Sequence, residues 1–181
     1  MNPAQAQPIV NPLQGLESQL QALHEASFGW ALACCGRNST EAEEVLQSAY
    51  EKLLTGKARF DGRSLLKTWL FAVIRRTAAE HRRWARVRSL WTSKAGTSEA
   101  APISSPESSA AKRERATALA EALEQLATRQ REVLHLVFYQ EMSISEAADV
   151  MGVALGTARL HYERGKQNLL DRLKEKGVTQ P

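Results

Sequence analysis

Ser143 to Leu173 reads SISEAADVMGVALGTARLHYERGKQNLLDRL. Ser143 can cap a helix, and Glu146 stands three residues on, as a capping box requires. Ala147, Ala148, Val150 and Met151 follow as an apolar face. Gly152 then supplies the residue type that ends a helix in a left-handed turn without steric cost. A second helical pattern starts near Leu155 and runs about five turns at 3.6 residues per turn. Two helices joined by a short glycine-containing turn fit a DNA-binding helix-turn-helix, whose second helix enters the major groove. They equally fit an ordinary αα-hairpin, and the rest of the chain has to decide.

Upstream of this stretch the patterns are again helical. From Leu13 a 3.6-residue period runs through Leu16, Leu20, Leu23, Ser27, Trp30, Ala31 and Cys34. A second helix is expected from Thr40, with Glu43 completing a capping box. It carries Ala42, Val45, Leu46, Ala49, Tyr50 and Leu53 at the spacing of an amphipathic helix. Thr55 to Ser64 has two glycines and turn formers and reads as a loop. Ser64 is expected to cap a third helix with Leu66, Trp69, Leu70, Val73, Ile74, Thr77, His81 and Trp84 on its apolar side. Helical patterns resume near Arg115 through Leu119, Leu123 and Leu126, then through Val133, Leu134, Val137 and Phe138 behind a Thr128 cap. No segment sustains a two-residue alternation, so the expected fold is all-α.

The intervening stretch, 92–112, is rich in Ser, Ala, Pro and Gly and has Ile103 as its one large apolar residue. Such a composition buries too little surface to offset chain entropy, and it reads as a flexible linker. Residues 1–12 are rich in Pro, Gln and Asn and read as a disordered lead. The organisation expected is two small helical domains, 13–91 and 113–176, the second ending in the helix-turn-helix.

The 181 residues carry a net charge of +4, which permits a polyanionic partner without demanding one. The charge is segregated. Arg75 to Lys94 holds seven Arg and Lys and one Glu, whereas Glu41 to Glu51 holds four Glu and no basic residue. Arg75, Arg76, Arg82, Arg83 and Arg86 fall within a roughly 120° arc opposite the apolar side of their helix. Solvated faces normally mix both signs, so five arginines against one glutamate favour contact with a DNA backbone. The acidic face of Glu41, Glu44, Gln47 and Glu51, taken alone, reads as simple solvation.

No apolar run approaches the 18 or so residues of a membrane span, and the N-terminus lacks the pattern of a signal peptide. Cys34 and Cys35 are adjacent, too strained a pair for a bridge, and read as reduced thiols of a cytosolic protein at or near a core. His24, His81, His135 and His161 lie in unrelated helical segments. Without a nucleophile–base pair, phosphate loop or metal-ligand spacing, the expectation is a protein with no catalytic residues, no metal and no cofactor.

Taken in order, three stretches resemble the extracytoplasmic-function group of bacterial RNA polymerase sigma factors. AEEVLQSAYEKLL (Ala42 to Leu54) is similar to the family helix that docks on the clamp helices of polymerase core. FDGRSLLKTWLFAVIRRTAAEHRR (Phe60 to Arg83) resembles the loop and helix that melt and read the downstream promoter element. ALEQLATRQREVLHLVFYQEMSISEAADVMGVALGTARLHYERGKQNLL (Ala122 to Leu170) resembles the domain that reads the upstream element. The resemblance covers nearly everything after residue 13. It departs at Ser48, where the family usually has an acid, at Leu54, where an aromatic is common, and at Leu160 and Glu163, where polar or basic residues are frequent.

The resemblance implies an alternative sigma factor, cytoplasmic, that directs polymerase core to promoters and helps open the duplex. Its partners would be polymerase core and promoter DNA, with an anti-sigma protein as a further candidate. It implies core docking by Glu41, Glu44, Gln47 and Glu51. It implies downstream-element contact by Lys57, Phe60, Asp61 and Arg63 in the loop, together with the five arginines. On the last helix it implies upstream-element contact by Thr157, Arg159, Leu160, Glu163, Arg164 and Gln167. There Arg can pair with guanine edges, Gln with adenine, and Leu can meet a thymine methyl. Trp69 and Trp84 read as core, while Trp91 could stack on an unpaired base or pack at an interface. A stand-alone helix-turn-helix regulator is the alternative. It leaves the acidic helix, the Phe60 loop and the arginine face without a use.

Overall fold

The computed structural model describes the backbone of residues 12–91 and 110–177, and the side chains of 15–88 and 114–177. Most of the expected lead and linker lies outside these residues. Of the two, Pro12 starts the first helix and residues 110–112 start the fifth.

Every element among the described residues is an α-helix: α1 Pro12–Ala22, α2 His24–Cys34, α3 Ser39–Leu54, α4 Leu66–Trp91, α5 Ala110–Glu124, α6 Thr128–Phe138, α7 Ile144–Met151 and α8 Leu155–Glu175. The period that begins at Leu13 is thus split at Leu23, which lies between α1 and α2. Trp91 is the last residue of α4.

The expected caps shift in three places, each by one or two residues. Asn38 rather than Thr40 caps α3, because its Oδ1 accepts from Glu41 N at 3.1 Å. Leu65 O accepts the bond from Trp69 N that opens α4, so Ser64 lies outside the cap. Ala127 precedes α6 without a side-chain cap, and Thr128 is already helical.

Helices α2, α3 and α4 pack on one another, as do α6, α7 and α8, with α5 laid on α8. The two groups share one core. α7 lies against α4 and α6 against α2, so Phe71, Val73 and Ile74 of α4 belong to the same buried cluster as Ala147, Val150 and Met151 of α7. At its centre Trp30 is fully buried, with Nε1 donating to Phe71 O at 2.9 Å. Its ring lies 6.0 Å from Phe71 and 5.4 Å from His135 of α6. The indole thus buries its apolar area without orphaning its N–H.

Candidate nucleic-acid interface

Both ends of α7 are built as the sequence predicts. Glu146 N donates to Ser143 Oγ at 3.2 Å, and Ser143 N donates back to Glu146 Oε2 at 2.8 Å. The Ser143 hydroxyl also donates to Glu146 Oε2 at 2.7 Å, and with the backbone bond it holds the Glu146 carboxyl below its usual range. Gly152 ends α7 in the left-handed region at φ 64°.

The rotation of α8 is set by its two buried residues, Ala158 and Gly165. A Cβ on Gly165 would stand 3.2 Å from Gln130 Cβ and 3.3 Å from Leu134 Cδ1, so α6 and α8 approach at van der Waals limits there. With that face pinned, Thr157, Arg159, Leu160, Glu163, Arg164 and Gln167 are all exposed. Two carry local bonds: Gln167 Nε2 reaches Asp171 Oδ1 at 3.0 Å, and Glu163 pairs with Lys166 at 3.5 Å. Leu160 is 47% exposed.

On α4 the five arginines divide into two stripes. Arg76 and Arg83 are exposed. Arg75 and Arg82 are half-buried and bonded elsewhere: Arg82 donates to Cys34 O at the end of α2, and Arg75 pairs with Glu132 of α6. Arg86 is exposed and has its own interaction. Trp84, expected in the core, is 68% exposed. It stands among Arg83, Arg86 and Arg88, all exposed.

The loop before α4 is anchored by Phe60, whose ring lies 5.4 Å from Trp69. Trp69 also packs against the buried core cluster. Asp61 pairs with Arg63 at 3.2 Å, and Lys57 with Glu51 at 3.8 Å, on exposed side chains. A groove lined by Lys57, Arg59, Trp69, Arg76 and Glu80 runs between loop and helix. Arg59 is the basic residue that the sequence reading missed. It adjoins Phe60 in sequence, but only the folded loop brings it beside Arg76.

On α3, Glu44, Gln47 and Glu51 are exposed on one face, while Glu41 is half-buried at the first turn. Beside them runs an apolar groove lined by Phe28, Leu46, Tyr50 and Leu54, with Glu43, Gln47 and Glu51 on its rim. Leu54 is 72% exposed at its end. Cys34 and Cys35 are buried and unbridged. Burial raises both thiols, that of Cys35 to about 12, so neither supplies a thiolate at neutral pH. Among the described residues no group of His, Cys, Asp and Glu is arranged to hold a metal, and no helix is long and apolar enough to cross a membrane.

Residues 21–87 match the family model for Sigma-70 region 2, and residues 116–169 match Sigma-70, region 4. The chain is 34% identical over 158 residues to the ECF RNA polymerase sigma factor SigL of Mycobacterium tuberculosis, covering 83% of this chain and 84% of SigL. It is 27% identical over 156 residues to the RNA polymerase sigma factor CarQ of Myxococcus xanthus, covering 86% and 88%. Among solved structures it is similar to the sigma factor RpoE in complex with the anti-sigma factor NepR from Bartonella quintana. That likeness has a TM-score of 0.76 at 22% identity, covering 89% of this chain and 98% of that one. CnrH in complex with the cytosolic domain of CnrY gives a TM-score of 0.60 at 23% identity, covering 90% of each chain.

Proposed function

Because this chain belongs to the extracytoplasmic-function (ECF) RNA polymerase sigma factors, we propose that three of its surfaces divide the work of transcription initiation. The factor is not an enzyme; it binds polymerase core and confers promoter choice. Residues 13–91 form the core-binding and promoter-melting domain, 113–176 form the promoter-reading domain, and 92–112 tether them. The working compartment is the cytoplasm, where polymerase is.

The α3 face of Glu41, Glu44, Gln47 and Glu51 docks on core. Acid beside an apolar groove suits a basic amphipathic partner, which buries apolar area while its charges pair at the rim. Lys57, Phe60, Asp61 and Arg63, with Arg75, Arg76, Arg82, Arg83 and Arg86, serve the downstream element and melting. Thr157, Arg159, Leu160, Glu163, Arg164 and Gln167 read the upstream element. The observation that carries this assignment is the exposure of all six α8 residues behind a capped turn, on a helix whose opposite face is pinned by Ala158 and Gly165. An anti-sigma protein is a further partner, on the likeness to a sigma factor solved with its anti-sigma factor.

Transcription in vitro with purified core on a genomic promoter library tests the whole. A subset of promoters should fire only when the factor is present. Glu44→Lys with Gln47→Ala should lose core binding in pull-down while keeping the wild-type melting curve, since both side chains are exposed. Wild-type core affinity in that folded double variant would remove α3 from the docking role.

A further inference from the structure

Arg75 belongs to the basic arc of α4, yet its side chain is only 15% exposed, and it faces Glu132 of α6, itself 4% exposed. Arg75 Nε lies 3.1 Å from Glu132 Oε1, close enough for an ion pair but not aligned as a hydrogen bond. The other carboxylate oxygen of Glu132 lies 3.4 Å from Arg129 Nη1, which also donates to Met151 O at the end of α7 at 3.2 Å. The promoter-reading half of the molecule thus places a carboxylate against an arginine of the promoter-melting half, and ties that carboxylate to the first helix of its own DNA-reading motif. Around the pair the halves are fastened further. Lys67 Nζ of α4 donates to Gln140 O at 2.7 Å, and Gln140 Nε2 reaches back to Ala26 O at 3.4 Å.

We infer that Glu132 acts as an intramolecular stand-in for a DNA phosphate, so that the packed form of this sigma factor is autoinhibited through Arg75. The inference rests on the reading that the α4 arginines contact the promoter backbone. A guanidinium pairs with carboxylate and phosphate through the same N–H donors. Arg75, enclosed by α6, therefore serves one or the other. The latch is also poised to exchange. Its geometry is unaligned, and burial raises the Glu132 carboxyl despite the Arg75 charge beside it. A buried pair of that kind adds little net stability. What binds the separated halves better than the packed form shifts the equilibrium by its differential affinity, and polymerase core holding the two halves on separate sites is such a ligand.

The test uses the full chain and a short, end-labelled duplex of mixed sequence at low salt. Apparent affinity scales with the fraction of open molecules, so Glu132→Gln is expected to bind the duplex at least about threefold more tightly than wild type. Glu121→Gln removes the same charge within the promoter-reading half, where Glu121 pairs with Lys176, and should leave affinity near wild type. Lys67→Met removes a positive charge, which by itself weakens DNA binding; by loosening the latch it should strengthen it. This variant carries the test if Glu132→Gln fails to fold. Adding Arg75→Ala to Glu132→Gln should abolish the gain relative to Arg75→Ala alone.

Equal affinity in Glu132→Gln, Glu121→Gln and wild type, with Arg76→Ala/Arg83→Ala still weakening binding, overturns the latch and leaves the arginine reading standing. If Arg76→Ala/Arg83→Ala binds like wild type, the arginine reading fails and the latch with it. A gain that survives Arg75→Ala overturns the assignment to Arg75.

Discussion

Trp30 and Trp84 occupy similar places in the sequence pattern, each on the apolar side of a helix, yet one is fully buried and the other 68% exposed. Trp30→Ala should therefore cost about 3–5 kcal/mol, as a cavity in a shared core does. Trp84→Ala should stay within about 0.5 kcal/mol, as surface changes do. Urea denaturation separates the two, and a Trp84→Ala destabilisation above about 2 kcal/mol would restore the core reading. His135 is a second residue whose role depends on burial. Desolvation between Trp30 and Tyr139 lowers its pKa from 6.5 to about 4, so the unfolded chain binds a proton that the folded chain refuses. Stability carried by neutral His135 is fully present above pH 6.5 and is lost as pH falls from there toward 4. Between about pH 7 and 5 the wild type should lose about 1–2 kcal/mol more than His135→Gln does. Parallel pH profiles for the two proteins would mean the imidazole is solvated.

At the scale of elements, the capping box at Ser143 and the close approach at Gly165 hold the reading helix in place. Ser143→Ala should cost about 1 kcal/mol, by orphaning the N–H of Glu146. Gly165→Leu should cost more, because its side chain must enter the space held by Gln130 and Leu134. Thermal melts rank the two, and a reversed order would mean α8 is not seated on α6. On the proposed reading, α4 and α8 should contact DNA in different ways. Replacing Arg76 and Arg83 on α4 by Ala should weaken binding about equally on all promoters and flatten the salt slope by roughly 0.9 for each phosphate no longer neutralised. Arg159→Ala or Arg164→Ala on α8 should cost about 1–3 kcal/mol at one upstream position and relax preference there. Leu160→Ala should lower discrimination for a thymine with little change in salt slope, since packing on a methyl group involves no counterion. Holoenzyme with Leu160→Ala and unaltered selectivity would show that this face of α8 is turned away from the bases.

At the scale of the molecule, the two helical groups bury Phe71, Val73 and Ile74 together with Val133, Leu136, Val150 and Met151. The free chain should then unfold in one calorimetric transition, with calorimetric and van't Hoff enthalpies equal. Two resolved transitions would mean that the halves fold independently and that their interface is weak. Most of the helices, the caps of α7 and the exposed face of α8 were legible in the sequence, because each depends on residues within one or two turns of one another. Helix caps were legible only to within one or two residues, since Asn38, Leu65 and Ala127 took roles that Thr40, Ser64 and Thr128 could also have filled. Periodicity ranks the faces of a helix without knowing where its neighbours stop, so Trp84 was misplaced while Trp30 was not. The sequence alone also determined the family, because three local stretches in order are enough to specify it. Only the tertiary structure decided which arginines are exposed. Arg75 and Arg82 differ from Arg76 and Arg83 through partners 48 to 57 positions away in the chain, Cys34 and Glu132, and no local pattern encodes an ion pair whose two halves meet only when one group of helices packs on another.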